Sequence, residues 1–235
     1  MYTRFCLLTA SICFIGLNSS HSVAGTVSGN VNLAKSQSRD KRPLHAPGFV
    51  VRSENSIRPA KRLDPRPDMV VVLQTAETNK APPAQGKKSS YRIIGESFEN
   101  RIKPVQIGTD IEIVNKSNHT LQLSAPSDPN FVPSDPINPK GRRKTTTIAK
   151  HSKSILVQAL KKPHLNGRVV AFPHPYFSTV KNGKFSISNV PAGLWKVTLW
   201  HEDGYVSLPK PIKINVASKP TTVDVQVPAR LTKSK

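Results

Sequence analysis

Throughout this chain, apolar and polar residues alternate in short runs broken by proline, glycine and asparagine. No run carries the helical repeat, and a period of two places every second side chain on one face of a strand. Strands are expected at residues 26–33, 69–73, 91–94, 105–107, 110–114, 120–123, 145–148, 154–159 and 168–172, and again at 185–187, 195–200, 211–216 and 222–227. Met69 to Leu73 is a compact β-branched run and reads as a buried strand. Lys181-Asn182-Gly183 has the composition of a tight hairpin turn. Many short strands with regular turns predict an all-β protein of sandwiches or barrels.

Two stretches stand apart from this pattern. Arg4 followed by the apolar run 5–17 and the small residues around Ala24 reads as a secretory signal peptide, residues 1–24, too short to span a bilayer. Export to the periplasm, cell envelope or exterior is therefore expected. Cys6 and Cys13 both lie within it, and Ile12 before Cys13 argues against a lipoprotein signal. The exported chain then has no thiol for a disulfide, a thiolate metal site or a nucleophile. Residues 34–68 hold nine cations and five prolines with few large apolar side chains, and read as a linker or insertion. Residues 230–235 read as a basic tail.

The net charge is +21 and the pI about 10.3. Such a charge draws in polyanions. For an exported protein nucleic acid is not the expected partner; an anionic envelope polymer, a lipid surface or an acidic protein is. The cations Lys140, Arg142, Arg143, Lys144, Lys150, Lys153, Lys161 and Lys162 follow one another with no acid between them. They are a candidate polyanion-binding face; the competing reading is a solvated surface that keeps the protein soluble.

Enzyme constellations are missing. The 14 acidic residues are dispersed. There is no Gly-x-Ser-x-Gly elbow, no phosphate-cradling glycine loop and no His-Glu-x-x-His. No catalytic residue is assigned.

Gly108-Thr-Asp-Ile-Glu-Ile-Val-Asn115 with Ser117-Asn-His119 resembles the middle of a cupredoxin-like domain. Further on stand Phe172-Pro-His-Pro-Tyr-Phe177, Asn182 to Gly193, and Val197-Thr-Leu-Trp-His-Glu202. These resemble bacterial plastocyanin-like or methylamine-utilization-type proteins, in which a small carboxypeptidase-regulatory, transthyretin-like sandwich of the carbohydrate-binding-like fold group follows the cupredoxin. The resemblance implies a Greek-key cupredoxin-like sandwich at residues 25–172, interrupted at 34–68, and a second sandwich at 173–229.

It also implies where copper ligands belong, and this chain departs there. His119 matches the first ligand. The Cys, His and Met places fall on Ala159, Lys162 and Leu165. Without a thiolate the site is read as lost, and no cofactor is expected. The competing expectation is a copper protein with an altered ligand set. For that, His119 and His164 are the candidate pair; the competing reading is separate surface or turn histidines. His151, His174 and His201 complete the histidines of this region, the last two expected as structural groups at the junction of the modules. Trp195, Trp200, Tyr176 and Tyr205 admit a sugar platform as well as core packing; five residues apart, the two tryptophans should face opposite sides of one strand.

Overall fold

The computed structural model describes residues 24–34, 64–75, 86–148, 154–217, 219–228 and 231. The expected signal peptide up to residue 23, most of the insertion, Lys150, His151, Lys153 and most of the basic tail lie outside the described residues. The described chain begins with β1 (Ala24–Leu33), a single 3-10 turn (Arg66–Asp68) and β2 (Met69–Gln74). There follow β3 (Lys88–Ile94), β4 (Ser97–Phe98), β5 (Ile102–Gln106), β6 (Asp110–Asn115), β7 (Leu123–Ser124), β8 (Arg142–Lys144), β9 (Ile155–Ala159) and β10 (Lys162–Phe172). The last set is β11 (Phe177–Thr179), β12 (Lys184–Pro191), β13 (Gly193–His201), β14 (Gly204–Val206), β15 (Ile212–Val216), β16 (Thr221–Thr222) and β17 (Val225–Val227). The protein is all-β, as expected.

These strands form four sheets. Two have the orders β4-β3-β6-β8 and β5-β10-β9-β7, and enclose one apolar core. The other two have the orders β11-β2-β13-β14, with β15 also on β13, and β12-β1-β16, with β17 also on β1. They enclose a second core. Each sandwich contains antiparallel and parallel pairs: β3 with β6 and β5 with β10 are parallel in the first, β1 with β16 and β17 in the second.

The strand grouping corrects the expected division at residue 172. β1 and β2 pair with β12 and β13 and belong to the second sandwich. The first sandwich, residues 88–172, is thus inserted between β2 and β11 of the second. Sequence order misleads here because pairing is decided by which sheet each strand completes. The expected strand at 145–148 is also displaced to β8, one turn earlier. Thr145 still donates its amide to Ile111, but Thr146 turns away to the Phe131 carbonyl, which ends the ladder. The proline-rich segment 124–141 sends Phe131, Val132 and Ile137 into the first core.

A third apolar cluster joins the sandwiches: Val70 and Val72 of β2, Ile102 of β5, Val170 and Phe172 of β10, and Trp200 of β13. Alternation explains how one strand serves two layers. Met69, Val71 and Leu73 point into the second core, while Val70 and Val72 point to the junction. On β10, Val169 and Ala171 face the first core while Val170 and Phe172 face the junction. β2 and the end of β10 are covered on both sides and read as the unbroken apolar runs Met69–Leu73 and Val169–Phe172; the outer strands β3 and β12 alternate.

Gly167 marks a close approach within the first core. A Cβ there would lie 2.9 Å from the Phe98 ring and closer still to the Tyr91 hydroxyl. Gly167→Ala is expected to destabilise the fold by about 1–3 kcal/mol through overpacking, measured as a shift in denaturant midpoint.

Candidate functional site

The end of the first sandwich at which the resemblance implies copper is built by the β6–β7 loop and the β9–β10 turn. Asn115 closes β6 and is fully buried. Its Nδ2 donates to the carbonyls of His119 (2.7 Å), Ile137 (2.9 Å) and Asn138 (3.2 Å). Its Oδ1 accepts from the Ser117 amide (2.9 Å) and hydroxyl (2.7 Å). One side chain therefore ties two loops together. Asn118, three residues on, is by contrast exposed. His119 is held through its carbonyl, with the side chain exposed.

Opposite this loop, Ala159 pairs with Lys162 across a turn of only two residues, Leu160 and Lys161. Leu160 donates its amide to Gln122 on the neighbouring strand. Ala159 is buried, and Leu165 is fully buried in the first core. Lys162 points outward to Glu96, whose carboxyl is held low by that lysine. His164 is exposed, with its Nε2 3.6 Å from the same carboxylate. The residues at the implied ligand places therefore do not fit copper. A methyl group, an ammonium and an isobutyl group supply no lone pair to Cu²⁺, and a blue site needs a thiolate with two imidazoles. Among the described residues, no group of three or more His, Cys, Asp or Glu side chains converges.

The basic run is not a single stripe. Arg142 lies 3.4 Å from Glu112 and Lys144 lies 2.9 Å from Asp110, both acids of the adjacent strand β6. The Lys144 and Thr147 hydrogen bonds lower the pKa of the Asp110 carboxyl. Arg143, between them in the pleat, bonds instead to the carbonyls of Arg142 and Pro136. Lys140 sits in a left-handed turn (φ 60°) and Lys161 in the β9–β10 turn. Acids distant in sequence thus neutralise half of the six described cations, Arg142, Lys144 and Lys162.

A second concave surface lies at the rim of the junction. This cleft of about 220 Å³ is lined by Asp68, Arg101, Asn166, Arg168, His201 and Glu202, among others. Arg101 bridges to Asp68 at 3.1 Å and Arg168 to Asp203 at 2.8 Å, each pair joining one sandwich to the other. Ser154 donates to Asp203 and accepts from Arg168 at 3.1 Å. That is a latch of balanced charge, in which the Ser154 hydroxyl bonds to a carboxylate and a guanidinium. His201 lines this cleft, and His174 is buried with its Nδ1 accepting from the Tyr176 amide at 3.2 Å. His201 thus sits at the rim of the junction, while His174 stacks on Tyr176, which packs against the second core.

The sugar platform does not form. Trp195 lies in the second core and Trp200 in the junction, on opposite faces of β13 as their spacing requires. Tyr176 packs edge-on against Trp195 at 5.0 Å and Tyr205 against Trp200 at 4.8 Å.

No family model matches this chain, and no curated protein matches it. Among solved structures it is similar to amicyanins. A reduced-state amicyanin mutant matches at 11% identity and a TM-score of 0.32, over 43% of this chain and 99% of that one. Amicyanin from Paracoccus versutus (Thiobacillus versutus) matches at 10% identity and a TM-score of 0.31, over 43% of this chain and 97% of that one. An oxidized amicyanin mutant matches at 13% identity and a TM-score of 0.25, over 43% of this chain and 98% of that one.

Proposed function

We propose that this chain is a non-enzymatic, exported binding protein. In this reading its inserted module is a cupredoxin-like sandwich without copper, its outer module is a transthyretin-like sandwich, and the protein docks on an anionic component of the cell envelope. The observation that carries the loss of copper is the donor set: Ala159 and Leu165 are apolar and buried, and Lys162 is spent on Glu96. A net charge of +21 supports the anionic partner.

Binding of the purified protein to envelope fractions should weaken steeply with salt. The Debye length falls from about 10 Å at 0.1 M to about 3 Å at 1 M, which removes the attraction between exposed charges. Co-sedimentation across that range reads the effect, and affinity indifferent to salt would remove the electrostatic reading.

A further inference from the structure

The cleft at the rim of the junction holds polar groups that its ion pairs leave unspent. Both sandwiches build it: Asp68, His201 and Glu202 come from the second, Arg101, Asn166 and Arg168 from the first. Its volume of about 220 Å³ falls below the roughly 300–1,000 Å³ of pockets for drug-sized ligands, so its occupant is a small molecule.

Arg101 meets Asp68 through Nη1 alone, and Arg168 meets Asp203 and Ser154 through Nη1 alone. The Nε and Nη2 edge of each guanidinium bonds to no described residue. That edge is a fork shaped for the two oxygens of a carboxylate. Arg66 shows the fork in use, its Nε and Nη2 closed on Asp64. On the wall supplied by the second sandwich, the side chains of Glu202 and His201 also have no partner among the described residues.

The backbone fixes where Glu202 stands. It sits at φ 52°, a left-handed conformation that glycine or asparagine adopts more readily, and its carbonyl accepts from Trp200 Nε1 at 3.2 Å. Asp203 beside it is tied to Arg168 and Ser154. Arg101 and Arg168 thus share this rim with the carboxylates of Asp68, Asp203 and Glu202, and Glu202 is the one left over. The open forks call for a carboxylate and the leftover acid calls for a cation. A free α-amino acid carries both groups on one carbon, which suits a cleft this small.

We propose that the cleft binds a free α-amino acid, with its carboxylate on the Arg101 fork and its ammonium on Glu202. This site goes beyond the docking reading and does not depend on it.

Calorimetric titration of the full-length protein with glycine, L-valine and L-lysine tests it. Tryptophan fluorescence gives a second readout, because the Trp200 indole bonds to the Glu202 turn. The amide and the N-acetyl derivative of the tightest binder remove the carboxylate and the ammonium in turn. The expected result is saturable binding of at least one of the three amino acids. Either derivative should bind tenfold or more weakly, and so should the parent amino acid to Arg101→Gln or Glu202→Gln. Arg142→Gln, on β8 far from the cleft in sequence, should leave binding unchanged. The derivatives carry the test even where a variant fails to fold by circular dichroism. No saturable binding of any of the three, derivatives that bind as tightly as their parent, or equal weakening by Arg142→Gln overturns the site.

Discussion

Replacing Trp200 with alanine will lower the stability of the protein by about 3–5 kcal/mol, the usual cost of emptying a buried indole site. Trp200 is the largest side chain of the junction cluster and is 4% exposed. It meets Phe172 of the first sandwich edge-on at 5.6 Å, and its Nε1 donates to the Glu202 carbonyl at 3.2 Å. The rim offers little compensation. The Asp68–Arg101 and Arg168–Asp203 bridges are part-exposed, and such pairs contribute about 0–1 kcal/mol each. With the indole intact, fluorescence and far-ultraviolet circular dichroism should report one coincident unfolding transition, because one apolar cluster and two chain crossings couple the sandwiches. In Trp200→Ala the midpoint should fall, and the probes should separate as the two cores unfold apart. A variant with an unchanged midpoint would show that the junction contributes nothing to coupling.

The second large effect is at Asn115. Asn115→Ala leaves three loop carbonyls without their amide donor and the Ser117 amide and hydroxyl without their acceptor. Each of these carbonyls keeps a second donor, the Ser117 hydroxyl on His119, the Leu121 amide on Ile137 and the Gly141 amide on Asn138, so the Ser117 amide is the buried group that loses its acceptor, and a loss of about 1–3 kcal/mol is expected. Asn118→Ala, three residues on and exposed, should stay within about 0.5 kcal/mol of the parent. Urea melts of both variants decide it: equal, small effects would mean that the loops do not depend on this amide.

Period-two alternation made the strands readable, because burial on one face writes itself into sequence. It identified β1, β2, β6 and β9 and placed Trp195 and Trp200 on opposite faces. Lys181-Asn-Gly183 announced its turn because only residues tolerant of positive φ fit there. The resemblance located Ala159, Lys162 and Leu165, and packing accounts for their chemistry. What alternation does not carry is partnership. That β2 completes the sheet of β13, more than a hundred residues later, is invisible in a local pattern. For the same reason the basic run looked unopposed: Asp110, Glu112 and Glu96 come from other strands.

The central claim is that the first sandwich has no copper site, and copper loading tests it most directly. The protein, with its amino-terminal segment processed, is incubated with excess Cu²⁺, dialysed, and assayed for metal content and visible absorption. The account predicts copper well below one ion per chain and no ligand-to-metal band, unchanged in His119→Ala. One retained ion per chain with such a band, lost in His119→Ala or His164→Ala, would contradict it.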